Sequence, residues 1–247
     1  MDVLYILGKG SKHNNEELRY SLRSLEYYCG GCLGKVYLVG ECPDWVNKER
    51  VTYIPFADKY DRKCKNIWAK ILYAIDHSDL PDEFLISSDD IFHIKQQDLN
   101  HYPYYHKNGL YVGVASHLRG TNIWYILEET KQLLRKYNYP LEDYGGGHCL
   151  HHVNVPVLKK MPKITADVFN GIYGAPFDVI MGNAIVKLLK PITVKRKDIK
   201  LESVKDESDF YNQIGDTEAF SIDDKAWDDF VGEWLKNKFK EKSRYEL

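Results

Sequence analysis

Asp89 and Asp90 are adjacent carboxylates that directly follow the run Phe84-Leu85-Ile86-Ser87-Ser88. Like charges this close repel, and a divalent cation bridging a diphosphate would offset the repulsion. Hard carboxylate oxygens suit Mg2+ or Mn2+, which keep several waters and complete their shell with phosphate oxygens. The alternative is a loop whose aspartates cap the next element. The position after an apolar strand, pinned by Phe92, favours the ligand reading.

Three imidazoles, His148, His151 and His152, follow Gly145-Gly146-Gly147. A histidine here can complete a metal shell begun by carboxylates or move a proton. We assign His151 to acid-base work and His152 to the metal, because the stretch from His151 to Pro156 leads into an expected strand. Asp178, after Ala175-Pro176-Phe177, is either a general base or the cap of its helix. Asp143, beside Glu142, carries the same two readings. Arg19 and Arg23 share a helix face, either toward a bound phosphate or paired with Glu16 or Glu26 on the surface. Lys195-Arg196-Lys197 and the lysines of the last helix are basic patches that suit a polyanionic acceptor or a solvated face.

The elements that must hold these residues alternate strand and helix over the first hundred positions. Val3–Leu7, Lys35–Gly40, Val51–Ile54 and Glu83–Ser87 read as buried strands. Asn14 or Asn15 can cap a helix carrying Leu18, Leu22 and Leu25. A second helix lies between Cys64 and Asp76. The order implies an α/β fold with a mostly parallel sheet flanked by helices on both faces. Beyond residue 100 we expect a strand from Leu110 to Ala115 and helices over Ile123–Tyr137, Phe177–Leu189 and Trp227–Lys242.

The chain has 247 residues and 44% hydrophobic composition, enough for one sizeable core. We read 1–247 as one domain, with 1–100 binding the donor and metal, 101–247 on the acceptor side, and an appendage from Asp198 to Lys242. Its formal charge of 34 − 36 = −2 argues against a surface built to grip phosphate backbones, so nucleic acid is the weakest partner class. No apolar run is long enough to span a bilayer and no leader pattern opens the chain, so a soluble cytoplasmic protein is expected. The five cysteines are sparse and odd in number, which points to free thiols. Cys29-Gly-Gly-Cys32 has zinc-knuckle spacing, but no second such pair accompanies it.

The block Asn14-Asn15-Glu16-Glu17-Leu18-Arg19-Tyr20-Ser21-Leu22-Arg23-Ser24-Leu25-Glu26, followed by Lys35–Val39 and Pro43-Asp44-Trp45, resembles the second block of the Stealth proteins. These are capsular polysaccharide transferases related to the eukaryotic GlcNAc-1-phosphotransferase. Phe84 to Phe92 resembles that family's strand ending in an Asp-Asp pair, and His148 to Pro156 resembles its His/Pro block. The resemblance covers the first hundred residues well and the rest loosely. It implies a GT-A-like, Rossmann-like fold in which an Asp-containing turn holds the metal and the nucleotide-sugar.

On that resemblance Gly8, Lys9, Arg19, Arg23, Ser88 and Asp89 hold the donor. Asp89, Asp90 and His152 hold Mg2+ or Mn2+, and Asp178, His151 or Asp143 serves the acceptor hydroxyl. The first strand here leads to Gly8-Lys9-Gly10-Ser11, whereas the family has an aspartate-glycine pair there. That difference favours glycosyl transfer over hexose-1-phosphate transfer, with a non-catalytic nucleotide or nucleic-acid binding module as the reading from another class.

Overall fold

The computed structural model describes residues 1–9, 12–106, 119–142, 149–195 and 199–247. The expected strand at Leu110–Ala115, the glycine triplet, Asp143, His148, Arg196 and Lys197 lie outside them.

Four parallel strands, β1 (Val3–Leu7), β2 (Val36–Gly40), β3 (Val51–Pro55) and β4 (Glu83–Ser87), form a sheet in the order β3-β2-β1-β4, continued by one more strand, His151–Asn154. Alternation along β1 divides the core. Val3, Tyr5 and Leu7 face Leu18, Leu22 and Leu25 of α1 (Glu16–Cys29), while Leu4 faces Trp68, Ile71 and Ala74 of α2 (Lys63–His77). Helices therefore cover both faces, as the alternating pattern requires. Gly40 closes β2 at φ +111°, and a Cβ there would sit 2.0 Å from the Leu7 carbonyl. Asn15 takes the cap position of α1 in the left-handed region, at φ 61°, without a side-chain cap bond.

After β4 the chain forms short strands β5 (Ile91–His93) and β6 (Tyr104–His106), then α3 (Asn122–Lys136). β7 (His151–Asn154) pairs antiparallel with β4. The histidines are thus themselves the strand, and the chain turns helical in α4 (Val155–Leu158). Pro156 cannot donate to a ladder, and Asn154 Oδ1 accepts from the Val157 amide at 2.9 Å. Then come α5 (Pro162–Asn170), α6 (Phe177–Leu189) and β8 (Thr193–Lys195), which pairs with β6.

The last segment is woven into the first half. β9 (Lys200–Leu201) and β10 (Ala219–Ile222) join β5 in a second sheet, ordered β5-β10-β9, with α7 (Glu207–Ile214) between them. Phe92, Phe210, Phe220, Trp227 and Leu235 pack in one cluster there. The terminal helix is shorter than its pattern suggested: α8 (Asp224–Ala226), a π turn (Trp227–Val231) and α9 (Gly232–Lys238). At Gly232 a Cβ would lie 2.8 Å from the Trp227 ring, so only glycine lets the backbone pass.

Candidate active site

A pocket of about 860 Å³ opens at the carboxyl edge of β1 and β4, lined by Ile6, Gly8, Ile86, Ser88, Asp89 and Asp90 among others. Order β3-β2-β1-β4 makes this the switch point, since the chain leaves β1 first toward β2 and later returns on the other side as β4. Crevices outside such strand ends are where open α/β sheets hold ligands.

α1 fixes the Asp-Asp turn from behind. Ser21 Oγ donates to the Ile91 carbonyl at 2.6 Å and lies 3.0 Å from Tyr5 Oη, and Ser24 Oγ accepts from the His93 amide at 3.0 Å. Within the turn, Ser88 Oγ donates to Asp90 Oδ1 at 2.5 Å. Burial raises the Asp89 carboxyl to about 6, with the neighbouring Asp90 and then Glu17 pushing the same way against Lys63. A carboxylate held so far above its ordinary range lacks sufficient positive charge, and a divalent cation fits that lack.

The register of β10 brings a second aspartate pair to the same place. Ser221 pairs antiparallel with Ile91, so the same register continued brings Asp223, which follows β10, level with Asp89, which precedes β5, with Asp224 one residue further on. Both pairs line the pocket. Among the described residues, His13, Glu17 and Asp224 place ligand atoms within 4.8 Å of one another. The His13 ring is stacked on Trp227, with centroids 5.4 Å apart, and Asp228 Oδ1 lies 3.7 Å from its Nε2.

β7 and α6 build the opposite wall. Ile86 pairs with His151 because β7 starts where β4 ends, and α6 begins beside it. His151 Nε2 lies 3.8 Å from Asp178 Oδ2, and Cys149 Sγ lies 3.9 Å from His151 Nδ1. Asp178 sits in the first turn of α6, two residues after its cap position at Pro176, and lines the pocket. Cys64 lines the same wall, its thiol pushed up to about 11 by burial and then by Asp178. Lys70 anchors the floor by donating to the Leu7 carbonyl at 2.9 Å and pairing with Asp58 at 2.6 Å.

The pocket thus collects Gly8, Lys9, Ser88, Asp89, Asp90, His151 and Asp178 from the sequence reading. Two other expectations need correction. Arg19 and Arg23 do not line the pocket; their guanidiniums are committed to Glu246, with Arg23 Nη1 also donating to the Phe239 carbonyl at 2.7 Å. His152 pairs with Leu85 and so projects to the sheet face opposite His151. Its Nε2 is 2.8 Å from the Tyr102 carbonyl, and burial holds it below the ordinary histidine range, so it is no ligand partner for Asp90. Cys29 and Cys32 are free thiols, as their sparse, odd-numbered set led us to expect; Cys32 Sγ donates to the Cys29 carbonyl and accepts from the Leu99 amide.

Glu17, Asp223 and Asp224 were missed by the sequence reading. Phe220-Ser221-Ile222-Asp223-Asp224 repeats the pattern of an apolar strand ending in an aspartate pair, which was the available signal.

No known protein family and no curated protein matches this sequence. The fold does match solved structures. The galactosyltransferase LgtC in complex with donor and acceptor sugar analogs gives a TM-score of 0.51 at 10% identity, over 99% of this chain and 98% of that one. An active-site mutant of LgtC gives 0.50 at 11% identity, with the same coverage. The mainly parallel sheet covered by helices is therefore a GT-A fold.

Proposed function

We propose that this chain is a metal-dependent glycosyltransferase moving a sugar from a nucleotide-sugar donor to an acceptor hydroxyl, in the synthesis of a glycan or polysaccharide. The observation carrying this reading is the convergence of Asp89 and Asp90 with Asp178 and His151 around one pocket at the switch point of a GT-A fold. Asp89 and Asp90, with Glu17 in place of His152, are the residues to hold Mg2+ or Mn2+. When bound, the ion supplies Lewis-acid stabilisation of the departing nucleoside diphosphate. Gly8 and Lys9 close one side of the donor region, and Lys63 and Lys200 add positive charge to the pocket. Asp178 accepts the acceptor's proton at its carboxylate, and His151, 3.8 Å away, steadies that charge. The Stealth-like block from Asn14 to Glu26 contributes α1, which orients the Asp-Asp turn through Ser21 and Ser24.

The test is incubation of the purified chain with a panel of nucleotide-sugars and Mn2+, following released nucleotide by chromatography. The expected product is a nucleoside diphosphate, lost in the Asp89→Ala/Asp90→Ala variant. A nucleoside monophosphate would instead support sugar-phosphate transfer, and full turnover in the double variant would overturn the metal role.

A further inference from the structure

Arg62, Tyr125 and Tyr173 come from three separate segments and meet beside the pocket. The Tyr125 and Tyr173 rings are stacked, with centroids 5.0 Å apart and planes 7° from parallel, and the Arg62 guanidinium lies 5.0 Å from the centre of the Tyr173 ring. Tyr125, near the start of α3, is 38% exposed, and Arg62 and Tyr173 are partly exposed. Arg62 Nε is buried without a hydrogen bond, and its one ion pair among the described residues, with Asp61 at 3.8 Å, lies in solvent. The backbone presenting these groups is locked. Glu129 accepts from the Tyr173 and Gly174 amides at 2.9 and 3.0 Å, and Trp68 Nε1 donates to the Ala175 carbonyl at 2.8 Å. Gly174, at φ +73°, packs so closely on α2 that a Cβ would lie 3.0 Å from Lys65 Cγ and 3.4 Å from Cys64 Cβ. The stack is continuous with the pocket, because Lys63 and Cys64, which follow Arg62, and Pro176, Phe177 and Asp178, which follow Tyr173, all line it.

We propose that this stack is a platform for a carbohydrate chain, the part of the acceptor that trails behind its reacting hydroxyl. The proposal rests on the reading of Asp178 as the group that takes that hydroxyl's proton. One face of a sugar ring is made of C–H groups and suits the electron-rich face of an aromatic ring, while a guanidinium with unfilled donors suits the oxygens at the sugar's edge. Five residues of chain lead from Tyr173 to Asp178, a reach of at most about 17 Å, so one short oligosaccharide can touch both. Parallel rings held by a locked loop offer a flat surface of ring size, which orders a sugar without the cost of ordering the protein. A donor's base is also flat, but the stack adjoins the wall that carries Asp178, opposite Asp89 and Asp90.

Binding to a printed array of oligosaccharides, graded from monosaccharide to hexasaccharide, tests this without turnover. The whole chain should bind at least one series, and more tightly as units are added. Tyr125→Ala should weaken that binding about tenfold with unchanged thermal unfolding. Tyr125→Phe should retain it, because the ring face is kept, and Arg62→Ala should weaken it. No oligosaccharide bound, binding independent of length, or binding unaffected in Tyr125→Ala would overturn the proposal. It would also fall if Tyr125→Ala dissociated a dimer, or weakened the binding of a nucleoside diphosphate and spared the oligosaccharides. Nucleotide release by the pocket is a separate readout: its absence beside length-dependent binding would sink the transferase reading and leave the platform, and the converse would sink the platform alone.

Discussion

Arg23 Nε and Nη2 each donate to Glu246 at 2.7 Å, joining the first helix to the second-last residue of the chain. Arg19 Nη1 adds a third bond at 2.6 Å, and its guanidinium lies over Trp45 at 4.3 Å. The Glu246 side chain is fully buried. This clamp closes the C-terminal segment onto α1, the helix that carries Glu17 and supports the Asp-Asp turn.

Removing the Glu246 charge should destabilise the fold in a pH-dependent way. Burial alone would raise this carboxyl, but hydrogen bonds from Arg23, the Ser243 amide and Arg19 together bring it to about 2. A group depressed on folding contributes stability above its unfolded value, and loses it as pH falls from about 4.5 toward 2. Glu246→Gln should therefore cost about 3–5 kcal/mol at pH 7, because two arginines remain without their counter-charge. The deficit should close toward pH 2 in thermal unfolding. A deficit unchanged between pH 7 and pH 2.5 would show that the charge is not its source. Arg23→Lys should lower the melting temperature and leave the donor KM unchanged, which a donor-binding arginine would not do.

Asp89→Asn should do the reverse in metal-free protein. Its folded value of about 6 lies above 3.8, so the folded protein holds a proton that the unfolded chain has released. Stability then falls as pH rises from about 4 through 6, and the cost persists above that. The neutral asparagine avoids this cost. It should melt higher than wild type at pH 7.5 with chelator present and equal it near pH 4, while turnover is lost. A lower melting temperature at pH 7.5 would refute the cost assigned to burying this charge beside Asp90.

The parallel core was legible because β1, β2 and β4 are short apolar runs whose alternate residues fill two faces, a pattern that local sequence states outright. The Asp-Asp turn was legible for the same reason, since a strand's end is a place in the fold. Arg19 and Arg23 were not, because their partner lies more than 220 residues away and nothing local distinguishes a buried clamp from a phosphate site. Asp223 and Asp224 reach the pocket only through the β5–β10 pairing, a long-range contact. His151 and His152 were separable in principle: once they are a strand, neighbouring side chains must take opposite faces, so at most one can enter the pocket.

Asp178→Asn and His151→Asn should separate chemistry from donor binding. Both residues sit on the wall opposite Asp89 and Asp90, 3.8 Å apart. Loss of a positioned acid-base group typically costs about 10²–10⁴ in rate. The expected result is a fall of that size in kcat for Asp178→Asn and a smaller one for His151→Asn, with donor KM and melting temperature little changed. Equal kcat in wild type and Asp178→Asn would remove this residue from the reaction.

Glu17→Gln should weaken the metal and shift the titration of Asp89 together. Glu17 raises the Asp89 carboxyl and shares a ligand cluster with His13 and Asp224, so it is common to both arrangements by which the pocket could hold a cation. Its side chain is buried in the first turn of α1, so the amide keeps the shape and removes only the charge. Titrating Mn2+ by electron paramagnetic resonance should show weaker binding in Glu17→Gln than in wild type. His13→Ala sorts the two arrangements: an effect as large as that of Glu17→Gln places the ion at His13 and Asp224, and no effect leaves it on Asp89 and Asp90. Unchanged Mn2+ affinity in Glu17→Gln itself would remove Glu17 from the metal shell altogether.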